Sequence, residues 1–292
     1  MKNNALLILA LIILTFAGAL KFSSLSLRGQ ETADNAYDRV MKTGVLNCGY
    51  ILWPGMVSRD PNTGVMSGYM VDAIEEIGRK YGFKVEWKRE FFLGQQVAEL
   101  GRSDIDALCG PDGTINYREG AFVDYSHSLG YYKVYVWGRA DDKRLTSREQ
   151  LNDPSIQFSG LDGDLSAIYV PEFFPRAKLL SLPQSTDYSV VLQNVVDGKA
   201  DAVIMDYYTV VLYERTNGHR LRRIDNAPFS SFSVNFTVRK GEGKLLAMLN
   251  QGIDLLNQFG VLKRLMDKYA LKDTGMVLPQ NGYYQVLQEN SL

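Results

Sequence analysis

The stretch that decides the fold runs from Gly101 to Gly110, G-R-S-D-I-D-A-L-C-G, and it has a counterpart at 198–206, G-K-A-D-A-V-I-M-D. In both stretches a glycine ends a helical pattern, and a basic residue and an aspartate (Asp104 or Asp201) then lead into a short apolar run. The glycine is typical of a helix C-cap, and the apolar run is typical of a buried strand. Two such units predict two similar α/β lobes rather than one sheet.

Strand and helix patterns alternate along most of the chain. The apolar residues Met70, Ile74, Ile77 and Tyr81 recur at helical spacing, and Gly82 follows them as a C-cap signal. Short strand-like runs lie before this helix, at 44–51, and between it and later helices, at 84–90, 105–110, 155–160, 177–182, 199–206 and 231–240. Strands that alternate with helices predict parallel sheets and an α/β class.

The composition narrows the function classes. The chain has 292 residues, 46% of them apolar, and a net charge of −1. This is ordinary for a globular protein, and without a basic excess it gives no indication of nucleic-acid binding. Its two histidines, His127 and His219, lack partners at metal-binding spacing, and the P-loop, G-x-G-x-x-G, G-x-S-x-G and C-x-x-C motifs are absent from the sequence. We therefore expect no metal, no cofactor and no catalytic nucleophile.

The N-terminus differs from the rest of the chain. Ala5 to Leu20 carry no charge, follow a short basic start, and end near the small residues Ala17, Gly18 and Ala19. This pattern predicts a secretory signal peptide over residues 1–20, cleaved after Ala19, with an uncleaved membrane anchor as the alternative. Both interpretations place the rest of the chain outside the cytoplasm, in the periplasm or the extracellular space.

The only two cysteines, Cys48 and Cys109, each lie in an apolar strand-like run. Export permits a disulfide between them, and two buried free thiols are the alternative. The residues alone leave these two possibilities about equal.

Two charged residues follow predicted strands, at the edge where ligands of α/β sheets bind. Arg118 comes after the strand that ends at Cys109 and a P-D-G-T turn, and its planar guanidinium suits a carboxylate. Asp206 ends another strand, where its carboxylate suits a ligand ammonium group. Each has a plainer interpretation, which is a surface ion pair with Glu119 or Asp124 for the arginine and a helix N-cap for the aspartate.

Other strand-end loops add aromatic and polar candidates. Trp53 or Tyr50 would cover an apolar or cationic part of a ligand, and packing at the surface is the alternative. Asp164 and Ser166, in S-G-L-D-G-D-L-S, lie at a helix start, where capping is the plainer interpretation. Asp112 and Thr114 precede Arg118 and are suited to cap the turn that contains it.

In their order and spacing, these motifs resemble those of the extracellular solute-binding proteins of family 3, which deliver amino acids and similar small solutes to ABC importers. The resemblance runs from about Thr43 to Leu271. It rests on C-G-Y-I-L-W-P, G-Y-M-V-D, G-R-S-D-I-D-A-L, T-I-N-Y-R followed by V-D-Y-S, G-K-A-D-A-V-I-M-D and V-R-K-G-E-G-K-L-L-A-M-L-N. The segment from T-I-N-Y-R to V-D-Y-S is the most specific of these.

The resemblance implies two Rossmann-like α/β lobes joined by two crossover strands, with the ligand cleft between them, as in type II periplasmic binding proteins. Lobe 1 would comprise 44–136 and 233–271, and lobe 2 would comprise 137–232. The residues at 272–292 would form a C-terminal tail.

The resemblance also assigns roles to residues. It implies that Arg118 binds the ligand carboxylate, that Asp206 binds the ammonium group, and that the loop from Asp112 to Thr114 supplies further donors. It places Cys48 and Cys109 on adjacent strands, which favours a disulfide.

One position departs from the family pattern. Where the family shows a G-T-T-like turn, this sequence has G-D-L-S, with Asp164 in place of a small hydroxyl. A carboxylate there would repel a ligand carboxylate and favour a cationic group, which weakens the expectation of an ordinary α-amino acid.

The sequence therefore predicts a monomeric, non-enzymatic protein that captures a small polar, amino-acid-like solute and passes it to the permease of an ABC transporter. Two alternatives stay open. Some proteins of this fold are cyclohexadienyl dehydratases that act on prephenate or arogenate with an acidic residue in the cleft, and Asp164 is the acid placed for that role. If residues 1–20 are retained, the chain would instead be a membrane-anchored ligand-sensing domain.

Overall fold

The first part of the chain alternates short strands with helices. The computed structural model describes residues 35–92, 94–102, 104–112 and 119–279. Up to residue 112 the elements are α1 Ala36–Thr43, β1 Val45–Tyr50, β2 Ser58–Arg59, β3 Met66–Ser67, α2 Tyr69–Tyr81, β4 Lys84–Glu90, α3 Gln96–Leu100 and β5 Ala107–Asp112. Within the described ranges we find no helix with the length and apolar character needed to cross a bilayer. The apolar segment at 5–20 lies outside the described residues.

The later part repeats the alternation and then closes with two helices. Its strands are β6 Val123–Tyr125, β7 Gly130–Arg139, β8 Gln157–Leu161, β9 Lys178–Leu182, β10 Ala202–Asp206, β11 Leu221–Arg223, β12 Ser230–Arg239 and β13 Met276–Val277. Its α-helices are α4 Leu165–Phe173, α5 Tyr188–Val196, α6 Tyr207–Asn217, α7 Gly243–Gln258 and α8 Val261–Lys268. The predicted α/β class is confirmed.

Two parallel groups of strands are joined by the long strands β7 and β12. The strand order is β4-β1-β5-β12-β7-β10-β8-β9, in which β1 is parallel to β4 and β5, and β8 is parallel to β9 and β10. The first half of β12 pairs with β7 and its second half pairs with β5, both antiparallel. We call β4, β1 and β5 the first half-sheet, and β10, β8 and β9 the second half-sheet.

Each half-sheet contains a buried or half-buried aspartate that ties two strands together. Asp106 accepts a hydrogen bond from the Asn47 backbone N–H at 2.9 Å and pairs with Arg39. Asp201 accepts one from the Gln157 backbone N–H at 3.0 Å and pairs with Arg144. The structural counterpart of Asp201 is therefore Asp106, which immediately precedes its strand, and not the exposed Asp104 that the sequence comparison suggested.

A glycine fixes the loop that follows β1. Gly68, just before α2, has φ 136°, and a Cβ there would lie 2.3 Å from the Met56 carbonyl oxygen. Only glycine tolerates both this backbone angle and this close approach, so the start of α2 packs directly on the loop after β1. The loop itself is closed by two hydrogen bonds between Trp53 and Val57, each 2.9 Å long. Trp53 is thereby held in a defined position at the carboxyl end of β1.

A disulfide joins β1 to β5. Cys48 and Cys109 are bonded, with their Cα atoms 5.5 Å apart, and both side chains are fully buried. The two strands are neighbours in parallel register, with Cys48 opposite Ala107. The bond lies two residues before Tyr50 and three before Asp112, so it anchors the carboxyl ends of β1 and β5 and the loops that follow them.

Candidate functional site

A cavity of about 520 Å³ lies between the two half-sheets, at the carboxyl ends of their strands. The first half-sheet contributes the loop after β1, with Trp53, and the end of β5, with Asp112. The second half-sheet contributes the loops after β8 and β9 and the start of α6. Ligands of open α/β sheets bind at such strand ends, and the volume is typical of a small-molecule site.

Three aspartates that line the cavity each cap a helix of the second half-sheet. Each accepts a hydrogen bond from a backbone N–H of the first turn, at 2.9, 2.7 and 2.8 Å: Asp164 before α4, Asp187 before α5 and Asp206 before α6. The helix N-termini carry a partial positive charge toward the cavity, but a carboxylate of the protein already occupies each of them.

Asp206 is an almost fully enclosed polar group on this side of the cavity. It ends β10 and is 4% exposed. Its two oxygens accept hydrogen bonds from the backbone N–H and the Oγ1 of Thr209, both at 2.8 Å. Asp206 therefore caps α6 and lines the cavity at the same time, which combines the two interpretations of its sequence position.

Backbone N–H groups also bind the carboxylate of Asp164, and Ser166 fixes the helix turn that follows it. The Asp164 carboxylate accepts hydrogen bonds from Leu161 N at 2.8 Å and from Ala167 N. The structure places Ser166 away from the cavity lining, where its hydroxyl exchanges two 3.3 Å hydrogen bonds with the backbone of Ile204. These bonds fix the first turn of α4 against β10, two residues before Asp206, and so hold both aspartates on the same side of the cavity.

The two aspartates have raised pKa values. Burial raises the pKa of Asp164 and of Asp206 to about 6, although the backbone N–H groups that bind both carboxylates act in the opposite direction. Burial also raises the pKa of Tyr188 well above its ordinary value, and the charges of Asp164 and Asp206 raise it further. The three side chains therefore share one electrostatic environment.

These values predict that the ligand-free protein gains stability as the pH falls from about 7 to about 5. A carboxyl group with a pKa of about 6 when folded and near 4 when unfolded binds its proton preferentially in the folded state. Each group then adds about 1 kcal/mol to the free energy of unfolding over this interval. Urea unfolding of the wild type and of the Asp164→Asn/Asp206→Asn variant measures the effect, because asparagine keeps the caps and does not titrate. A difference between the two proteins that is independent of pH contradicts the prediction.

Aromatic rings form the apolar face of the cavity. The centroid of Trp53 lies 5.2 Å from that of Tyr132, 5.9 Å from that of Phe232 and 6.2 Å from that of Tyr208. Trp53 and Phe232 line the cavity. Tyr50 does not, because it points into the core and packs edge-on against Trp87 at 5.7 Å.

The structure brings together only part of the predicted ligand-binding set. Trp53, Asp112, Asp164 and Asp206 all line the one cavity. Arg118 and Thr114 lie outside the described residues, so their roles stay predictions.

The sequence analysis did not predict most of the other lining residues, among them Gln96, Phe232 and Asp187. The run Ser185, Thr186, Asp187 is typical of a helix start, but it carries no signal that Asp187 lines a cavity. Gln96 and Phe232 carry no local signal, since a single glutamine or phenylalanine is common on any helix or strand.

The sequence profile of the bacterial extracellular solute-binding proteins, family 3, matches residues 48–272 of this chain. The chain belongs to this family. Among its relatives, the L-cystine-binding protein TcyA of Bacillus subtilis (strain 168) is 23% identical over 249 residues, which are 83% of this chain and 89% of the relative. The cyclohexadienyl dehydratase of Pseudomonas aeruginosa is 22% identical over 252 residues, 85% of this chain and 89% of the relative.

Solved structures share the fold. The cysteine-binding protein of Campylobacter jejuni has a TM-score of 0.69 at 18% identity and covers 84% of this chain and 100% of its own. The ancestral amino acid-binding protein AncCDT-1, a precursor of cyclohexadienyl dehydratase, has a TM-score of 0.68 at 22% identity. The match covers 80% of this chain and 99% of AncCDT-1. The predicted type II periplasmic binding fold is confirmed.

Membership of family 3 also establishes the general role. The chain is an exported solute-binding protein with a small-molecule ligand and an ABC transporter as its partner. Proteins of this family mostly bind solutes without transforming them, and the dehydratase of Pseudomonas aeruginosa is an enzyme among the relatives.

Proposed function

We propose that this solute-binding protein encloses an amino-acid-like solute in the cavity between two lobes and releases it to a membrane permease. The observation that carries the proposal is the cavity itself, in which the buried carboxylate of Asp206 and the ring of Trp53 face one space. We assign 44–136 with 233–271 to lobe 1 and 137–232 to lobe 2. The long strands β7 and β12 would then act as the hinge.

Each side chain has a chemically distinct part in the proposed complex. Asp206 accepts hydrogen bonds from the ligand ammonium group. The low dielectric of the buried site strengthens the attraction between the two charges. Trp53 and Phe232 cover the apolar part of the ligand. Arg118, which lies outside the described residues, binds the ligand carboxylate together with donors of the Asp112 to Thr114 loop.

Isothermal titration of the purified protein against the protein amino acids, their amides and simple amines tests the proposal. We expect saturable one-to-one binding of at least one amino acid, since a site of this size encloses one such molecule. The Arg118→Ala variant should lose most of that affinity. Absence of binding across the whole set contradicts the proposed function, whereas an intact affinity in Arg118→Ala contradicts only the role of the arginine.

A hydrogen bond between the two proposed lobes predicts the behaviour of Tyr208→Phe. The Tyr208 hydroxyl donates to the Pro54 carbonyl at 2.6 Å, and its ring stacks on Tyr132 at 5.9 Å. Phenylalanine keeps the stacking and removes the bond, which costs the closed form about 1 kcal/mol. We expect the dissociation constant of the ligand to rise roughly 5-fold, through faster dissociation measured by stopped-flow fluorescence.

The matched control for Tyr208→Phe is Tyr69→Phe. The Tyr69 hydroxyl donates to the Leu129 carbonyl at 2.7 Å, and both residues belong to the proposed lobe 1. Its removal should lower the free energy of unfolding by about 1 kcal/mol and leave the ligand dissociation rate unchanged. Equal dissociation rates in Tyr208→Phe and the wild type contradict a closing role for Tyr208.

Dehydration of a cyclohexadienyl acid is the second candidate function. Two observations favour this candidate, which are the relative from Pseudomonas aeruginosa and the enclosed Asp164, whose pKa is raised by burial to about 6. Incubation with prephenate or arogenate, followed by chromatography of the products, distinguishes catalysis from binding. We expect no turnover, because proteins of this family mostly bind solutes without transforming them.

The proposed function also includes export of the protein and a monomeric state of the mature chain. We assign residues 1–20 to a signal peptide that is cleaved after Ala19, and N-terminal sequencing of the exported protein tests this assignment against a retained anchor. Light scattering of the mature protein tests the monomeric state.

A further inference from the structure

A short segment near the C-terminus is packed into the fold. Residues 271–277, which we call the strap, follow α8 and end in β13. Leu271 and Thr274 are buried, and Met276 is 5% exposed. The family profile ends at residue 272, so most of the strap lies beyond the segment that the profile matches. The strap is therefore an ordered part of this molecule that the family pattern does not account for.

Both ends of the strap are fixed to the proposed lobe 1. At one end, β13 pairs antiparallel with the first half of β7, with Met276 opposite Tyr132. The Met276 side chain lies against Gly130, where a Cβ would overlap the Met276 methyl carbon. At the other end, Leu271 packs beside Gly55 of the loop after β1, since a Cβ on Gly55 would lie 3.3 Å from the Leu271 Cδ2 atom.

The middle of the strap contacts α6, which belongs to the proposed lobe 2. Gly275 has φ 77°, and a Cβ there would lie 3.2 Å from the Tyr207 Cδ1 atom. The next residue of α6, Tyr208, donates a hydrogen bond to the Pro54 carbonyl of the proposed lobe 1. Two successive residues of α6 therefore contact either lobe 1 itself or a segment that is fixed to it.

The strap is also adjacent to the aromatic face of the cavity. Tyr132, which pairs with β13, has its ring 5.2 Å from Trp53 and stacks on Tyr208 at 5.9 Å. A rotation of α6 about β7 and β12 would separate Tyr208 from Tyr132 and Tyr207 from Gly275 in one movement. The contacts of the strap with α6 thus belong to the closed form of the cavity.

We propose that the strap is a third connection between the two lobes, in addition to β7 and β12, and that it stabilises the closed form. The inference rests on the two-lobed arrangement of the proposed function and adds to it the segment that determines how readily the lobes separate. Without the strap, the lobes open more readily and a bound solute leaves faster.

Distances between two spin labels test this inference without any ligand. Glu90→Cys and Ser181→Cys place labels at exposed sites near the ends of β4 and β9, close to the loops where Gly94 approaches Gln184. The native cysteines are bonded and buried, so they stay unlabelled. Double electron–electron resonance should show a short-distance, closed population in the full-length chain. We expect a chain that ends at Leu271 to lose at least about half of that population.

Two matched pairs of variants assign the effect to the strap. A chain that ends at Pro279 keeps the strap and should retain the full-length distribution. In the second pair, Met276→Ala removes a buried side chain, and Val277→Ala changes its neighbour in β13, which is 45% exposed. We expect Met276→Ala to shift the distribution towards longer distances and Val277→Ala to leave it unchanged. Circular dichroism melting curves confirm that each protein is folded.

Solute release gives a second readout. The probe is the protein amino acid that binds most tightly in the titration of the wild type. Stopped-flow fluorescence should show that it leaves the chain ending at Leu271 about 3-fold to 10-fold faster than the chain ending at Pro279.

The outcomes separate this inference from the proposed function. Equal distance distributions in the chains ending at Leu271 and at Pro279 overturn the role of the strap, and so does an equal shift in Met276→Ala and Val277→Ala. In either case, binding of an amino acid leaves the proposed function intact. If the distributions differ as expected but no amino acid binds, solute binding is contradicted and the strap retains its role in closure.

Discussion

Replacing Asp206 with asparagine is expected to weaken ligand binding by about 30-fold to 1,000-fold. The substitution removes the charge that faces the ligand ammonium group but keeps an acceptor for Thr209, so α6 retains its cap. Loss of one partner of a buried, hydrogen-bonded charge pair costs about 2–5 kcal/mol, and each 1.4 kcal/mol is about a factor of ten in affinity. Isothermal titration with the amino acid found for the wild type measures the change.

Asp187→Asn is the matched control for this experiment. Asp187 also caps a helix at the cavity, but its side chain is exposed to solvent. Because water screens an exposed charge, the same substitution should change the affinity by less than about 5-fold. Similar losses in both variants would show that total cavity charge, rather than a specific contact with Asp206, determines binding.

Removing the disulfide is expected to lower the free energy of unfolding by about 4 kcal/mol. The Cys48–Cys109 bond closes a loop with a sequence separation of 61 residues, and this restricts the unfolded chain. Urea unfolding of the Cys48→Ala/Cys109→Ala variant, monitored by tryptophan fluorescence, gives the value. We expect ligand affinity to fall only slightly at low temperature, since both sulfur atoms are buried beneath the strand ends and do not line the cavity.

Reduction of the wild type serves as the control for the alanine variant. Unfolding of the wild type in the presence of dithiothreitol should give the same denaturation midpoint as the variant, because both lack the cross-link. A difference of less than about 1 kcal/mol between oxidised and variant protein would contradict a stabilising role for the bond.

The sequence predicted the fold class because its signals are local. A helical period ending at Gly82 and apolar runs such as that at 202–206 reflect only the neighbours of each residue, and the structure has helix α2 and strand β10 at these places. The comparison of the two Gly-to-strand units was wrong by two residues. Asp106, not Asp104, corresponds to Asp201, because the aspartate that bonds the neighbouring strand is the one adjacent to its own strand.

The sequence predicted those site residues that lie at the carboxyl ends of recognisable strands. Asp112, Asp164 and Asp206 each lie at or just after the carboxyl end of a strand, and all three line the cavity. Tyr50 is also near a strand end, but side chains alternate between faces along a strand and into the loop, so it points into the core whereas Trp53 reaches the cavity.

The sequence by itself determined the α/β class and the family, and it showed that an aspartate occupies position 164, where the family pattern has a small hydroxyl. Only the tertiary structure decided that Cys48 and Cys109 are bonded, that Ser166 supports the site without lining it, and that the loops at Gly94 and Gly163 are in contact. The reason is physical. Periodicity and capping depend on residues a few positions apart, whereas the cavity joins loops that lie far apart in the sequence. Strand pairing and contacts such as that between Gly94 and Gly163 bring those loops together.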